Sequence, residues 1–318
     1  MKNIDVTALG ELLIDFTENG LSPQGNPLLE ANPGGAPCNV LAMLSKLGHR
    51  TAFVGKVGAD IFGKRLRKVI ADVGIDTTGL VDDPVVNTTL AFVHTKADGD
   101  REFSFYRNPG ADMMLTSADV KEELLLGCRV FHFGTLSMTT EDGKKATEDS
   151  IDVAKHAGAL ISFDPNLRAP LWESLAIAKE RTIYGLEHCD ILKISDNEIE
   201  WLTGERDYKK AAERLKAKYD ISLILVSLGK NGSMALSNSS FAEWPAYRVD
   251  TVETTGAGDT FHACVLHYIL KNGFRDYKKA ELEEMLRFAN GAAAIITTRK
   301  GALAVMPEKE EIEALIRQ

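Results

Sequence analysis

Short apolar runs alternate with amphipathic stretches along most of the chain, and this order limits the folds that the sequence can adopt. The apolar runs, which have the length and composition of buried strands, are residues 51–57, 130–133, 159–163, 191–194 and 223–226. Helical periodicity marks residues 36–47, 62–72, 140–156, 177–187, 208–219 and 281–298. Because strands alternate with helices, we predict a mainly parallel sheet with helices on both faces.

One region departs from this rhythm. Residues 89–107 alternate apolar and polar side chains around Ala97-Asp98-Gly99-Asp100, which is typical of a hairpin with one exposed face. Residues 12–18 and 28–31 have a similar pattern. We therefore predict one domain over residues 1–318, with a small sheet, formed by about 12–32 and 88–110, that closes over a substrate as a lid.

Composition excludes several classes of protein. The net charge of −9 argues against a general nucleic-acid binder, and no apolar run is long enough to span a membrane. The start of the chain lacks the features of a secretory signal. The cysteines form no CxxC pair and lie far apart in apolar surroundings, at positions 38, 128, 189 and 264. We expect a cytoplasmic protein with reduced thiols that binds neither membrane nor nucleic acid.

The segment most indicative of chemistry is the motif ETTGAGD at residues 253–259, which an apolar helical stretch at 260–270 follows at once. Gly256 and Gly258 allow backbone amides to converge on an anion at the start of a helix, where the helix dipole adds positive charge. Asp259 would place a base beside that anion. The combination suggests phosphoryl transfer to a hydroxyl, a reaction that depends on positioning and charge stabilisation.

A second polar group suggests the acceptor. Asp15 ends an apolar run, and Gly34-Gly35 precedes a helix whose first turn contains Asn39. Short acceptors and amides of this kind suit a polyol, because each unmatched hydroxyl in a buried site is costly. Each residue taken alone is better explained as a solvated aspartate at a strand end, an ordinary turn or a helix-start asparagine, and only the combination indicates a site.

These motifs together resemble the ribokinase/PfkB family of carbohydrate kinases. The resemblance rests on three motifs in order: GGAPCN at 34–39, VGADIFG at 57–63 and ETTGAGD at 253–259. It extends from Val6 to about Pro307, and the segments 10–15 and 105–112 are most similar to the fructokinase branch. It implies a ribokinase-like three-layer α/β/α fold with a mainly parallel central sheet and a small β-sheet lid.

The resemblance also implies roles for individual residues. Asp259 corresponds to the base that takes the proton of the sugar hydroxyl, and the anion hole corresponds to Gly256, Ala257 and Gly258. The sugar ligands correspond to Asp15, Gly34, Gly35 and Asn39. Arg107 on the lid and Arg168 resemble cations placed near the substrate or the transferred phosphate. From the residues alone, either arginine could equally form a surface ion pair.

On the nucleotide side, the resemblance implies that ATP is held by Ser227, Gly229, Gly232, Thr255, Gly258 and Asn290. The segment 229–232 could also be a plain turn between strands. Glu198 would arrange Mg²⁺ through water, and a possible K⁺ would lie at Glu253, Thr255 and Gly301. The chain departs from the family pattern in having Glu253 for the usual Asp and Ser195 for the usual Asn. These departures make K⁺ activation less secure than the Mg²⁺ requirement, which follows from the charge on ATP.

We therefore expect a Mg²⁺ATP-dependent kinase for the primary hydroxyl of a hexose, with fructose and fructose 6-phosphate as the leading pair. Alternatives are a 2-keto-3-deoxygluconate kinase, a ribokinase or a nucleoside kinase. A different class is a catalytically silent regulator that binds sugar or nucleotide on the same fold. If the lid leaves an apolar sheet face uncovered, two copies could pair through it as a homodimer.

Overall fold

The computed structural model describes residues 2–95 and 101–317. The predicted turn at 97–100 therefore lies outside the described residues. Within them, the chain forms two separate sheets, one of nine strands and one of four. The larger sheet carries the helices, and the smaller one contains the segments expected to form the lid.

The nine-stranded sheet has the order β13-β12-β11-β10-β9-β8-β1-β4-β5. Its strands are β1 (Ile4–Leu9), β4 (Thr51–Gly58), β5 (Ile75–Asp83), β8 (Cys128–Gly134), β9 (Leu160–Asp164), β10 (Ile191–Ser195), β11 (Leu223–Ser227), β12 (Ser233–Leu236) and β13 (Phe241–Trp244). The pairs from β5 to β11 are parallel, and β12 and β13 add an antiparallel hairpin at one edge. The prediction of a mainly parallel sheet is thus confirmed.

The four-stranded sheet has the order β3-β2-β6-β7. Its strands are β2 (Leu13–Leu21), β3 (Pro27–Gly34), β6 (Leu90–Thr95) and β7 (Arg101–Tyr106). The central pair β2 and β6 is parallel, whereas both outer pairs are antiparallel. The chain therefore enters this sheet twice, directly after β1 and again after β5.

Helices cover both faces of the large sheet. They are α1 (Ala36–Lys46), α2 (Ile61–Asp72), α3 (Glu122–Leu126), α4 (Glu141–His156), α5 (Leu175–His188), α6 (Asp196–Thr203), α7 (Tyr208–Tyr219), α8 (Ala257–Asn272), α9 (Lys279–Ile296) and α10 (Lys309–Ile316). One buried apolar cluster joins the sheet to α1, α2, α8, α9 and α10, and a second joins it to α3 through α7. This is the expected three-layer α/β/α arrangement.

Strand β11 illustrates why both faces are covered. Leu223 and Leu225 belong to one apolar cluster, whereas Ile224 and Val226 belong to the other. All four are buried, because successive side chains of a strand point to opposite faces. A continuous apolar run of this kind is what a parallel strand between two helical layers requires.

The elements missing from the sequence prediction are short or polar. Strands β1 and β5, the β12–β13 hairpin and helices α3, α6 and α10 were not anticipated, because each mixes polar residues into a brief segment. In the loop before α2, the Asp60 carboxylate accepts hydrogen bonds from the amides of Phe62 and Gly63. The start of α2 is therefore capped by an acid.

In the part of the chain that the structure describes, no helix has the length and apolarity needed to cross a membrane.

Candidate active site

The first turn of α8 is the centre of the candidate site. Gly256 precedes the helix with a φ of 79°, a left-handed conformation that glycine adopts without strain. Gly258 and Asp259 of this turn line the first cavity, whereas the amide of Ala257 donates to the carbonyl of Thr254 at 3.3 Å. The first amides of a helix have no carbonyl partner one turn earlier, so this end attracts an anion.

Asp259 lines a cavity of about 540 Å³ whose wall includes residues of the small sheet. Its Oδ2 accepts a hydrogen bond of 2.8 Å from Nδ2 of Asn39. Burial raises the pKa of Asp259, while the charge of Lys193, the bond from Asn39 and the charge of Arg168 oppose the rise. The arrangement gives an acceptor of above-ordinary basicity beside an anion-binding helix end, which is the combination expected of a general base.

Lys193 is a residue of this site that the motifs did not identify. It lies on β10 with 7% exposure, and its Nζ is 2.9 Å from Oδ2 of Asp164 on β9. Burial alone lowers the pKa of Lys193, but the charges of Asp164, Glu198 and Asp259 more than offset this and raise it. A methyl group on Gly258 would lie 3.0 Å from this ammonium. A fixed positive charge therefore underlies the first turn of α8.

The expected sugar ligands lie together on the wall formed by β2, β3 and the start of α1. Asp15 pairs with Asn32 across the small sheet and lines the cavity, and burial raises its pKa to about 6. Gly34 lies behind the wall, where a methyl group would overlap Oδ2 of Asp15. Gly35, with a φ of 131°, caps α1 and lines the cavity. Gly34 thus serves by leaving room for the carboxylate.

The two expected arginines differ in their surroundings. Arg107 lines the cavity but is 6% exposed, and its guanidinium pairs at 2.7 Å with Asp112 and donates to Oγ1 of Thr139 and the carbonyl of Leu136. Its charge is therefore offset within the wall. Arg168 is exposed at the cavity mouth and acts electrostatically on both Asp15 and Asp259. Of the two, Arg168 is the cation that is open to a ligand.

Glu11 is a second cavity residue without a sequence-derived role. It follows β1, is 5% exposed, and its Oε1 accepts the Ala36 amide at 2.8 Å. Burial raises its pKa to about 7. The signal for both residues was in the sequence: Glu11 follows an apolar strand, and Lys193 interrupts one. A charge in a buried strand requires partners and is a candidate for function.

A second cavity, of about 630 Å³, lies on the other side of the α8 N-terminus. Its lining includes Ser227, Gly229, Gly232 and Asn290 of the expected nucleotide site, together with Tyr247, Phe261 and Ala293. The two cavities share Ser227, Thr254 and Gly258 in their walls. Thr255, also expected on the nucleotide side, lines the first cavity instead. A group that passes from one cavity to the other must therefore cross the first turn of α8.

Two residues expected on the nucleotide side, Asn290 and Gly232, shape this cavity through contacts with backbone carbonyls. Asn290 on α9 accepts from Oγ of Ser233 and donates to the carbonyls of Trp244 and Pro245. Its polar atoms thus hold the wall in place. Gly232 has a φ of 105°, and a methyl group there would overlap the carbonyl of Trp244. Gly229, with a φ of 53°, faces open space.

The acids expected near metals already accept several hydrogen bonds. Oε1 of Glu198 accepts the Leu167 amide, and Oε2 accepts the amide and hydroxyl of Ser195. Glu198 lines the first cavity with one face, which fits contact with a hydrated cation rather than direct ligation. Among the described residues, no group of three or more His, Cys, Asp or Glu could hold a metal by itself. Oxygens from a bound nucleotide would have to complete the coordination of a divalent ion.

Glu253 connects the two segments expected to surround a monovalent cation. Its Oε1 accepts the hydroxyl of Thr255 at 2.6 Å, and its Oε2 accepts the amide of Gly301 at 2.9 Å. The methylene that distinguishes Glu from Asp gives the side chain the reach to bridge both segments. Its negative charge is still compatible with a nearby cation.

Comparison with known proteins agrees with this geometry. The model of the family described as "pfkB family carbohydrate kinase" matches residues 3–309. The chain is 42% identical to "Probable fructokinase-2" of Arabidopsis thaliana over 305 residues, covering 95% of this chain and 92% of that protein. It is 40% identical to "Fructokinase-1" of Zea mays over 315 residues, covering 98% of each.

Solved structures give the same result. The fructokinase of Xylella fastidiosa with bound ATP superposes with a TM-score of 0.90 at 31% identity, over 100% of this chain and 99% of that one. The fructokinase of Vibrio cholerae bound to fructose, ADP and calcium superposes with a TM-score of 0.89 at 28% identity, over 99% and 100%. The chain therefore belongs to the pfkB family of carbohydrate kinases and is a phosphotransferase that acts on an alcohol group.

Proposed function

We propose that this protein is an ATP-dependent fructokinase that converts fructose to fructose 6-phosphate. The observation that carries the proposal is the position of Asp259, in the first turn of α8, where the two cavities meet. The size and chemistry of the first cavity suit a hexose, and the second suits a nucleotide. The similarity to plant and bacterial fructokinases supports fructose as the sugar.

In the proposed mechanism, Asp259 accepts the proton of the primary hydroxyl as the hydroxyl oxygen bonds to the γ-phosphorus. The bond from that phosphorus to the β–γ bridging oxygen breaks, and ADP leaves with the electron pair. The first-turn amides of α8 donate to the transferring phosphoryl group, and Lys193 supplies positive charge from below. A divalent ion, when bound, offsets charge between the nucleotide phosphates.

The charges in the first cavity favour a neutral polyol over an acidic sugar. Glu11 and Asp15 line it, while Arg107 is neutralised by its pair with Asp112. A substrate carboxylate would have Arg168 as its exposed cation, in a cavity that five acids also line. 2-Keto-3-deoxygluconate is thus the less suitable substrate, and the same acids accept hydrogen bonds from sugar hydroxyls.

For the cofactors, we propose ATP with Mg²⁺, held by the nucleotide phosphates and by Glu198 through water. A Ribokinase II structure from Escherichia coli, described as putative, contains ATP and Mg²⁺, which supports this choice. A monovalent ion beside Glu253, Thr255 and Gly301 is part of the same proposal. A double-mutant fructokinase of Vibrio cholerae contains potassium.

The test is an ADP-release assay with MgATP across fructose, mannose, ribose, 2-keto-3-deoxygluconate and nucleosides. We expect the highest kcat/KM with fructose. A higher value for another substrate would reassign the specificity within the family. Tight nucleotide or sugar binding without ADP release from any substrate would instead favour the catalytically silent regulator. Omitting KCl from the assay tests the monovalent ion separately.

We further propose a homodimer joined through the lid and a cytoplasmic location. The small sheet exposes the apolar side chains of Leu21, Leu28, Leu29 and Tyr106, and exposed apolar side chains of this size are candidates for burial at an interface. Light scattering at working concentration is expected to give twice the chain mass of 34.8 kDa, and a monomeric mass would contradict the dimer. All four cysteines are buried and free, which suits a reducing compartment.

A further inference from the structure

Asn39 contacts Asp259, the proposed base, directly. It lies on α1, which packs against α8, and its Nδ2 donates to Oδ2 of Asp259 at 2.8 Å. The two residues are 220 positions apart in the sequence. The contact therefore depends on how the two helices pack and could not be read from either motif alone.

The other polar atom of the Asn39 amide is closed off. Its Oδ1 is buried and has no hydrogen-bond partner in the described part of the chain, and the residue as a whole is 3% exposed. The residue nevertheless lines the first cavity. Reversing the amide would place this oxygen against the Asp259 carboxylate, so the donor must face the acid.

We propose that Asn39, besides lining the first cavity, is a positioning residue that orients the Asp259 carboxylate for proton transfer. The inference rests on the proposed kinase function of the same site. Asp259 has two oxygens, and the bond to Asn39 occupies Oδ2. The remaining oxygen is thereby directed toward the cavity, where the acceptor hydroxyl must bind.

The charges around Asp259 determine what loss of this bond does. Lys193 on β10 and Arg168 after β9 favour its ionised form, whereas Asp164 on β9 and Glu198 on α6 add negative charge to the same cluster. Removing the donor leaves burial less opposed, so the pKa of Asp259 rises. The acid limb of the pH profile of kcat/KM for fructose then moves to higher pH.

The experiment compares Asn39→Ala with Asp15→Asn, a matched change in a residue that lines the cavity wall. We expect N39A to lower kcat at least tenfold and to shift the acid limb upward. D15N is expected to raise the fructose KM without moving the acid limb to higher pH, because it removes a carboxyl whose own pKa is about 6. Asn39→Asp, which keeps the shape of the side chain, is expected to shift the limb further because it places a second carboxylate against Asp259.

A readout without turnover separates this inference from the proposed function. Carbon-13 NMR titration of labelled aspartate carboxyls is expected to show a higher pKa for Asp259 in N39A and N39D than in the wild type. Wild-type protein that phosphorylates no sugar would refute the fructokinase proposal, while this titration would still decide the contact. An unchanged Asp259 pKa, or a raised fructose KM at unchanged kcat, overturns the positioning role. Circular dichroism confirms that each variant is folded.

Discussion

The site has a sugar half around the first cavity and a nucleotide half around the second cavity, and the two meet at α8. They differ in the charged side chains of their walls. Five acids line the first cavity: Glu11, Asp15, Glu198, Glu253 and Asp259. Among the described residues, no Asp or Glu lines the second cavity, which has Lys230 and Arg248 instead. Its remaining wall consists of glycines, apolar side chains and uncharged polar groups. The division matches the ligands, since a neutral polyol needs acceptors and a nucleotide carries negative charge.

The contrast indicates which structural features determine the specificity of each half. In the sugar half, individual carboxylates are buried, and burial raises the pKa of Glu11 to about 7 and of Asp15 to about 6. In the nucleotide half, recognition depends on backbone geometry at residues such as Gly232. Changes of charge should therefore act mainly on the sugar half, and changes of shape should act on whichever half contains the altered glycine.

The strongest test of the contrast is Asp259→Asn. The amide keeps the shape of the side chain but cannot accept the proton, so we expect kcat to fall by at least about a hundredfold. The KM values for fructose and ATP should change only modestly. Asp250→Asn is the matched control, because Asp250 is exposed and lies outside the lining of both cavities. Near-normal turnover of D259N would remove Asp259 as the base.

The second test pairs one glycine from each half. A methyl group at Gly34 displaces the carboxylate of Asp15, whereas one at Gly232 displaces the Trp244 carbonyl. We expect Gly34→Ala to raise the fructose KM about tenfold or more with little effect on the ATP KM, and Gly232→Ala to do the reverse. Initial rates with one substrate varied at a time give both constants. Gly20→Ala, in the small sheet with a φ of 85° and open space around the glycine, controls for the backbone strain that alanine causes at a left-handed position such as Gly232. Equal effects on both constants would mean that the halves are not independent.

Much of this contrast could be predicted from the sequence, because its largest elements are local patterns. The apolar run that became β11 and the GAG turn before α8 depend on neighbouring residues only. The family resemblance extended this to the sugar and nucleotide residues. The structure brings Asp15, Asn39, Asp259 and Arg168 to one cavity, as the motifs led us to expect.

The sequence did not predict the burial and the charge partners of individual side chains. Arg107 was expected to face the substrate, yet its charge is offset by Asp112, five residues along the chain. Lys193 lies in a strand, and only packing beneath α8 gives it a role. Such properties arise from burial and from contacts between distant segments, which no local pattern encodes.

The third test removes the buried positive charge of the sugar half. Lys193→Met eliminates the ammonium beneath the first turn of α8, and we expect kcat to fall about tenfold because less positive charge faces the transferring phosphoryl group. The single change also leaves Asp164 unpaired, which costs about 3–5 kcal/mol of stability. The double variant Lys193→Met with Asp164→Asn no longer contains the unpaired buried carboxylate. Its thermal unfolding should return toward the wild type while kcat stays low. Recovery of kcat together with stability would show that Lys193 is structural only.

The smallest expected effect is on stability and uses the pH sensitivity of the sugar half. Burial raises the pKa of Glu11 from 4.5 to about 7, so its contribution to stability is fully present below about pH 4.5 and is lost as the pH rises to about 7. Glu11→Gln cannot ionise, and its oxygen can still accept the Ala36 amide. Relative to the wild type, the free energy of unfolding of E11Q should therefore rise between pH 5 and pH 8, by about 2–3 kcal/mol. Urea unfolding at the two pH values measures this, with the exposed Glu173→Gln as control. Parallel pH dependence of E11Q and wild type would mean that Glu11 ionises as readily as a surface acid, and the sugar half would lose its distinction as the pH-sensitive half.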